Sequence, residues 1–261
     1  MFRISAHDIE VKYDKNIILR DLLLHIPDNS ISTIIGPNGC GKSTLLKALT
    51  KILPYSKGQI LLDGQALTSY KTKDLAKKMA LLPQSQIAPS NISVRELIAY
   101  GRYPHQGNFG ILSSQDQEII NWAISKTKLN DVENSIVDSL SGGQRQRVWV
   151  ALALAQQTDI IYLDEPTTYL DLAHQLDLMK LLKQLNVEEN RTIVMVLHDL
   201  NLAARYSDYM ISMNSGQIVK AGAVDEVMTT DNLKQVFQID AVISEDPYTK
   251  KPICLSYDTS L

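Results

Sequence analysis

Ile31-Ser32-Thr33-Ile34-Ile35 is a short apolar run that ends at Gly36-Pro37-Asn38-Gly39-Cys40-Gly41-Lys42-Ser43-Thr44. A helical pattern then runs from Lys42 to Leu53 and stops before Pro54. A buried strand that enters a glycine-rich turn and leaves along a helix has few folds open to it. Glycines let the backbone N–H groups of such a turn curl round a phosphate, and the helix start adds further free N–H groups. The spacing makes Gly36–Thr44 a phosphate loop, with Lys42 reaching the β- and γ-phosphates and Ser43 able to place its hydroxyl on Mg²⁺. That predicts an α/β core that binds a nucleoside triphosphate.

The rest of the chain fits this frame. Phe2–Tyr13 and Ile17–Ile26 read as two strands joined by Asp14-Lys15-Asn16, the start of an antiparallel β subdomain. Gly58–Leu62 and Met79–Leu82 read as further strands. From Pro83 to Leu140 the pattern turns helical, with helices over Val94–Tyr100 and Ser114–Thr127, the latter opened by a Ser114…Gln117 capping box. Gly101–Gly110 between them reads as a loop with aromatic punctuation. Alternation resumes with a helix from Gly142, a strand Ile160–Leu163, a helix Leu172–Leu185, a strand Thr192–Leu197 and a helix Leu200–Tyr206. Tyr209–Met213 and Gln217–Lys220 form a hairpin over Asn214-Ser215-Gly216, and two short helical segments with a polar tail follow Val224. The predicted organisation is one domain: a catalytic core over 1–84 and 147–225, an inserted helical subdomain over 85–146, and a C-terminal extension over 226–261.

Composition removes several classes. The 26 basic residues are outnumbered by 29 acidic ones, which argues against a protein that grips nucleic acid through its phosphates. Two cysteines, one of them inside the phosphate loop, make no disulfide framework and fit a reducing compartment. Met1–Ser5 has no signal-peptide pattern, and the most apolar stretch, Val148 to Ala155, is far too short to cross a bilayer. Work at a membrane would then require another protein to hold this chain there.

Three further groups carry chemistry. Ile160–Leu163 delivers Asp164 and Glu165 to a strand end, where Asp164 can hold Mg²⁺ and Glu165 can polarise an attacking water as general base. His198 and Gln84 follow strands in the same way: an imidazole there can contact the γ-phosphate or orient the water, and an amide can bridge metal, water and a moving subdomain. Tyr13, at the end of the first strand, can stack on adenine. Leu140-Ser141-Gly142-Gly143-Gln144 opens the helix from Gly142 with a second glycine pair, a second anion cradle that one nucleotide does not need. Arg145 and Arg147 read as a solvated or partner-facing helix surface.

In this order the motifs resemble the ATP-binding cassette family over almost the whole chain. Tyr13 resembles the adenine-stacking aromatic, Gly36–Thr44 the Walker A loop, Gln84 the Q-loop, Leu140–Gln144 the signature, Ile160–Glu165 Walker B, Tyr169-Leu170-Asp171 the D-loop and His198 the switch histidine. The resemblance implies a P-loop NTPase (RecA-like) core, ATP and Mg²⁺ as cofactors with Ser43, Gln84 and Asp164 toward the metal, and catalysis by Glu165, His198, Gln84 and Lys42. It also implies a head-to-tail dimer in which Ser141 and Gly143 act on the partner copy's ATP. A narrower resemblance, carried by Tyr100–Gln106, Thr167–Gln175 and His198–Tyr206, is to ATPase subunits of bacterial iron(III)-siderophore, haem and cobalamin importers, the ferric-siderophore branch above the others. Such a subunit would sit peripherally at the cytoplasmic face of the membrane, held by integral permease subunits and served by an extracytoplasmic substrate-binding protein. A soluble cassette, such as an iron–sulfur assembly factor, is the alternative. A purely regulatory module would be expected to have lost Glu165 or His198, and both are present. His105 and His174 have no companions at ligand spacing and read as structural.

Overall fold

A computed structural model of the chain describes residues 2–107 and 110–260. In chain order the elements are β1 (Phe2–Tyr13), β2 (Asn16–Pro27), β3 (Ile31–Ile35), α1 (Lys42–Leu49), β4 (Lys57–Leu62), β5 (Gln65–Ala66), α2 (Thr72–Leu75), β6 (Met79–Leu82), α3 (Val94–Ala99) and α4 (Ser114–Lys126). They continue as α5 (Gly142–Ala155), β7 (Ile160–Asp164), α6 (Leu172–Glu189), β8 (Thr192–Val196), α7 (Leu200–Tyr206), β9 (Tyr209–Asn214), β10 (Gln217–Ala223), α8 (Val224–Val227), α9 (Thr230–Phe237), β11 (Ile239–Glu245) and β12 (Pro252–Thr259). Backbone contacts gather these into two units. The first runs from the N-terminus to Tyr70 and resumes at Thr192; the second is Lys71–Arg191.

In the first unit β2, β1, β4 and β5 form an antiparallel sheet in that order. β3 lies parallel to both β8 and β9, with Ile31 opposite Ile193 and Ser32 opposite Tyr209, and β10 continues antiparallel to β9. Every residue of β3 and β8 is buried, as expected of parallel strands rich in β-branched residues. The β9–β10 turn is two residues, Ser215-Gly216, both with positive φ, the geometry that continues the strand twist. Gly216 has a second reason to be glycine: a Cβ there would stand 2.1 Å from the Ile18 carbonyl oxygen.

In the second unit β6 and β7 pair in parallel from Met79–Ile160 to Leu82–Leu163. Helices α3, α4 and α5 pack on one another beside them. α3 starts on a Ser93/Glu96 capping box and α5 on a Ser141/Gln144 box.

The structure bears out the α/β architecture and shifts several local readings. α1 ends at Leu49, because Lys51 takes a left-handed φ and Thr50 turns its hydroxyl back on the Leu46 carbonyl. The cap of α4 is Ser113 with Asp116, one residue before the expected Ser114 with Gln117. Asp116 is ionised and accepts from both the N–H and the hydroxyl of Ser113, and a negative charge suits a helix start better than a neutral amide. Within the loop expected over Gly101–Gly110, Tyr100–His105 is a 3₁₀ segment, and Asn108 and Phe109 lie outside the described residues. The polar tail is a hairpin, β11 with β12, held to α7 by Asn201, whose amide donates to the Cys254 carbonyl and accepts from its N–H.

Candidate active site

The phosphate loop joins β3 to α1. Its three glycines all have positive φ, and each meets a different constraint. A Cβ on Gly36 would lie 2.3 Å from the Met213 carbonyl oxygen, and one on Gly41 2.7 Å from Leu19, whereas one on Gly39 would meet nothing within 4 Å. The loop is therefore pressed against β9 and β2 on one side and open at its crest. The Gly216 N–H donates to the Cys40 carbonyl at 3.0 Å, so the β9–β10 turn holds the loop from behind. No side chain caps α1 and no acidic residue stands in its first turn, so nothing within the helix competes for an anion there. Lys42 is buried, and its Nζ donates to the carbonyls of Gly36 (2.8 Å) and Pro37 (2.9 Å). Burial pushes the Cys40 thiol up, more than the Lys42 charge lowers it. Tyr13 is exposed at the end of β1, and His198 is exposed just beyond β8. Asp199 caps α7 through the Leu202 N–H at 2.8 Å.

The second unit gathers the carboxylates and the signature. β7 is buried throughout and ends on Asp164, with Glu165 next in a left-handed conformation. Gln84 Nε2 donates to Glu165 Oε2 at 2.7 Å, and the Thr168 hydroxyl donates to the same oxygen at 3.3 Å. The turn after Glu165 is fastened from α5: Gln146, buried, donates to the Pro166 carbonyl at 3.0 Å. Asp171 caps α6 through the His174 N–H at 2.9 Å, and His174 Nδ1 approaches the same carboxyl at 2.7 Å. The His174 N–H is the main reason the Asp171 carboxyl titrates below the usual range. At the start of α5 the Ser141 hydroxyl accepts from the Gln144 N–H, and the Gln144 side chain accepts from the Ser141 N–H. A Cβ on Gly143 would face Leu170 at 3.5 Å and His174 at 3.9 Å, so the signature lies beside the segment leading into α6.

Residues 19–168 match the profile of the ABC transporter family. The chain belongs to this family. As an ABC cassette it binds and hydrolyses ATP. The iron(3+)-hydroxamate import ATP-binding protein FhuC of Bacillus subtilis (strain 168) is 53% identical over 258 residues, 99% of this chain and 96% of that protein. A chain of an inward-facing metal-chelate type ABC transporter superposes with a TM-score of 0.83 at 27% identity, over 98% of both chains. The dimeric post-hydrolysis ATP-binding cassette MJ0796, bound to ADP and Pi, gives 0.76 at 26% identity, over 85% of this chain and 98% of that one. Among the described residues no helix is long and apolar enough to cross a membrane.

The cassette's expected residues thus fall into two sets. Tyr13, Gly36–Thr44 and His198 belong to the first unit; Gln84, Leu140–Gln144, Asp164, Glu165 and Asp171 belong to the second. Several supporting residues escape a motif reading. Gly216 and Gln146 act on backbone carbonyls remote in sequence, and Arg145 turns back onto the Asp138 and Leu140 carbonyls at 3.1 and 3.3 Å. The string Tyr100–Gln106 proves to be the clasp of the far end of α5. Arg102 Nη1 donates to the Ala155 carbonyl at 2.7 Å, His105 Nε2 donates to that of Gln156 at 2.8 Å, and a Cβ on Gly101 would strike the Leu152 carbonyl at 2.4 Å. Burial lowers the His105 pKa, consistent with a neutral ring donating one N–H.

Proposed function

We propose that this chain is the ATP-hydrolysing motor subunit of a bacterial ABC importer for iron(III)-siderophore complexes. The observation that carries the reading is likeness along 99% of the chain to an iron(3+)-hydroxamate import ATP-binding protein, joined to a phosphate loop and a Walker B carboxylate that are both intact. Iron is cargo here and touches no residue of the cassette.

In this reading the loop N–H groups and Lys42 hold the β- and γ-phosphates, and Tyr13 stacks on adenine. Ser43, Gln84 and Asp164 offer hydroxyl, amide and carboxylate oxygens, the hard donors Mg²⁺ selects, and the buried Asp164 supplies the charge. The ion, when bound, neutralises charge developing on the phosphate oxygens. Glu165 is the general base for the attacking water, which must take up the place near its carboxylate where the Gln84 amide now donates. Gln84 therefore reports on whether the base is engaged. His198 orients the water or the γ-phosphate.

Ser141 and Gly143 serve the ATP of a second copy in a head-to-tail dimer, and Asp171 belongs to the same interface. The dimeric state of the MJ0796 cassette supports pairing of two copies. ATP closes the dimer, hydrolysis reopens it, and integral permease subunits fed by an extracytoplasmic binding protein convert the cycle into transport at the cytoplasmic face of the membrane. Residues 1–84 and 147–225 act as the catalytic core, 226–261 as an extension, and 85–146 as the insertion that receives the permease. Exposed Tyr100 and Tyr103 on that insertion favour a protein contact there.

The deciding experiment reconstitutes the chain with its permease and measures ATP turnover with binding protein loaded with an iron(III) hydroxamate, haem or cobalamin. Stimulation by the iron(III) chelate alone is expected. Stimulation by haem or cobalamin instead would overturn the assignment of cargo, and a permease-free chain with full activity would favour a soluble cassette.

A further inference from the structure

The unit Lys71–Arg191 contains a cavity of about 230 Å³ lined by none of the residues assigned to ATP chemistry. It opens where the end of α4 meets one face of α5 and the first three turns of α6. Its floor is apolar: Val150 and Leu178 are buried, and Leu181 is half-buried beside them. Its rim is cationic. Lys126, Lys128, Arg147 and Lys180 stand round it against a single carboxylate, Asp177.

Lys128 already engages that carboxylate at 3.1 Å. Lys126, Arg147 and Lys180 make no ion pair with any described residue. Asp177 also feels the charges of Arg147 and Lys180, and Asp171 that of Arg147, but four cations over a low-dielectric floor face one rim carboxylate, and the excess positive charge favours an anion. The floor meanwhile exposes hydrocarbon that water wets at a cost. A monoatomic anion answers the first condition and not the second.

We propose that this cavity binds a small organic polyanion, a molecule with two or more negative charges on a hydrocarbon body. A space of this size suits a short dicarboxylate or an aryl phosphate. The charged end lies among Lys126, Arg147 and Lys180 and the hydrocarbon lies on Val150, Leu178 and Leu181. His174 lines the same cavity and holds Asp171 through Nδ1, which sets the ligand one side chain away from the cap of α6.

The test is calorimetric titration of the full chain at constant ionic strength, with the phosphate loop filled by a non-hydrolysable ATP analogue. The probes are phenyl phosphate, suberate and inorganic phosphate. Phenyl phosphate or suberate is expected to bind saturably below about 1 mM, with inorganic phosphate at least about tenfold weaker. The surface double variant Arg147→Gln/Lys180→Gln should weaken binding by about tenfold or more, and Leu181→Trp, which fills the floor and keeps every charge, should do the same. Lys42→Ala, titrated without the analogue, should retain the site. Three results would each overturn the proposal: no saturable binding up to about 10 mM, equal affinity for inorganic phosphate and phenyl phosphate, or binding lost in Lys42→Ala and kept in Arg147→Gln/Lys180→Gln.

Discussion

Replacing Asp116 by Asn removes the carboxylate that both pairs with Arg102 of the Tyr100–His105 segment and caps α4 through Ser113. Arg102 Nε meets Asp116 Oδ1 at 2.7 Å with side-chain exposures of 5% and 9%, while Oδ2 accepts the Ser113 N–H at 2.9 Å and its hydroxyl at 2.7 Å. Burial alone would raise the Asp116 pKa, but the Ser113 hydroxyl, the Arg102 guanidinium and the Ser113 N–H outweigh it and hold the group at about 2, against an ordinary 3.8. A folded pKa below the unfolded one contributes stability that is complete above pH 5 and is lost as pH falls through 3.8 toward 2. The difference of about 1.8 units, at about 1.36 kcal/mol per unit, gives roughly 2.4 kcal/mol. Asp116→Asn also leaves the buried Arg102 without a counter-charge, so the loss at pH 7 should reach about 3–5 kcal/mol. Both tryptophans, Trp122 on α4 and Trp149 on α5, lie in this unit, so intrinsic fluorescence in urea reads it selectively. The gap between wild type and variant should shrink by about 2 kcal/mol between pH 5 and pH 2. A gap under about 1 kcal/mol at pH 7, or one that does not change with acid, would refute the pairing as a source of stability.

Glu165→Gln should lower ATP turnover at least about 100-fold while ATP binding persists and a stable dimer accumulates on a sizing column; an unchanged rate removes Glu165 as base. Ser141→Ala should lower turnover by about 100-fold through the partner's ATP, yet leave ATP binding by the monomer nearly intact. Its lost helix cap should cost only about 1 kcal/mol in denaturant, so a larger collapse would mark a folding defect instead. Gly216→Ala forces a Cβ to within 2.1 Å of the Ile18 carbonyl at a left-handed φ, and should cost about 1–3 kcal/mol. It should also weaken ATP binding, because the Gly216 N–H holds the Cys40 carbonyl; wild-type affinity in a destabilised variant would disprove that link.

The phosphate loop, the β7 carboxylates and the signature helix are legible in the sequence because each signal is local. A glycine spacing, an apolar run ending in two acids and a cap before a helix need no knowledge of what packs behind them. Where two local signals overlap, the sequence alone does not decide. Ser113 and Ser114 both stand three residues before a capping side chain, and the choice falls to Asp116 because Arg102 is there to share it. Long-range supports leave no trace at all: nothing around Gly216 announces the Cys40 carbonyl, and nothing around Gln146 announces Pro166. The terminal hairpin escapes for another reason. β12 is mostly exposed and mixed in polarity, and its anchor is the side chain of Asn201 acting as a piece of strand, invisible to any hydrophobic period.

The grip of Lys42 on the Gly36 and Pro37 carbonyls makes nucleotide capture an exchange. The ammonium leaves two neutral acceptors for charged phosphate oxygens, and only the difference between the two sets of bonds reaches the affinity. A ligand without phosphate offers nothing better than the carbonyls and leaves the lysine in place. The loop thus tests its visitor's charge before its shape. Its folded form is also already held together by its own cation, so little chain entropy remains to be lost when phosphate takes over.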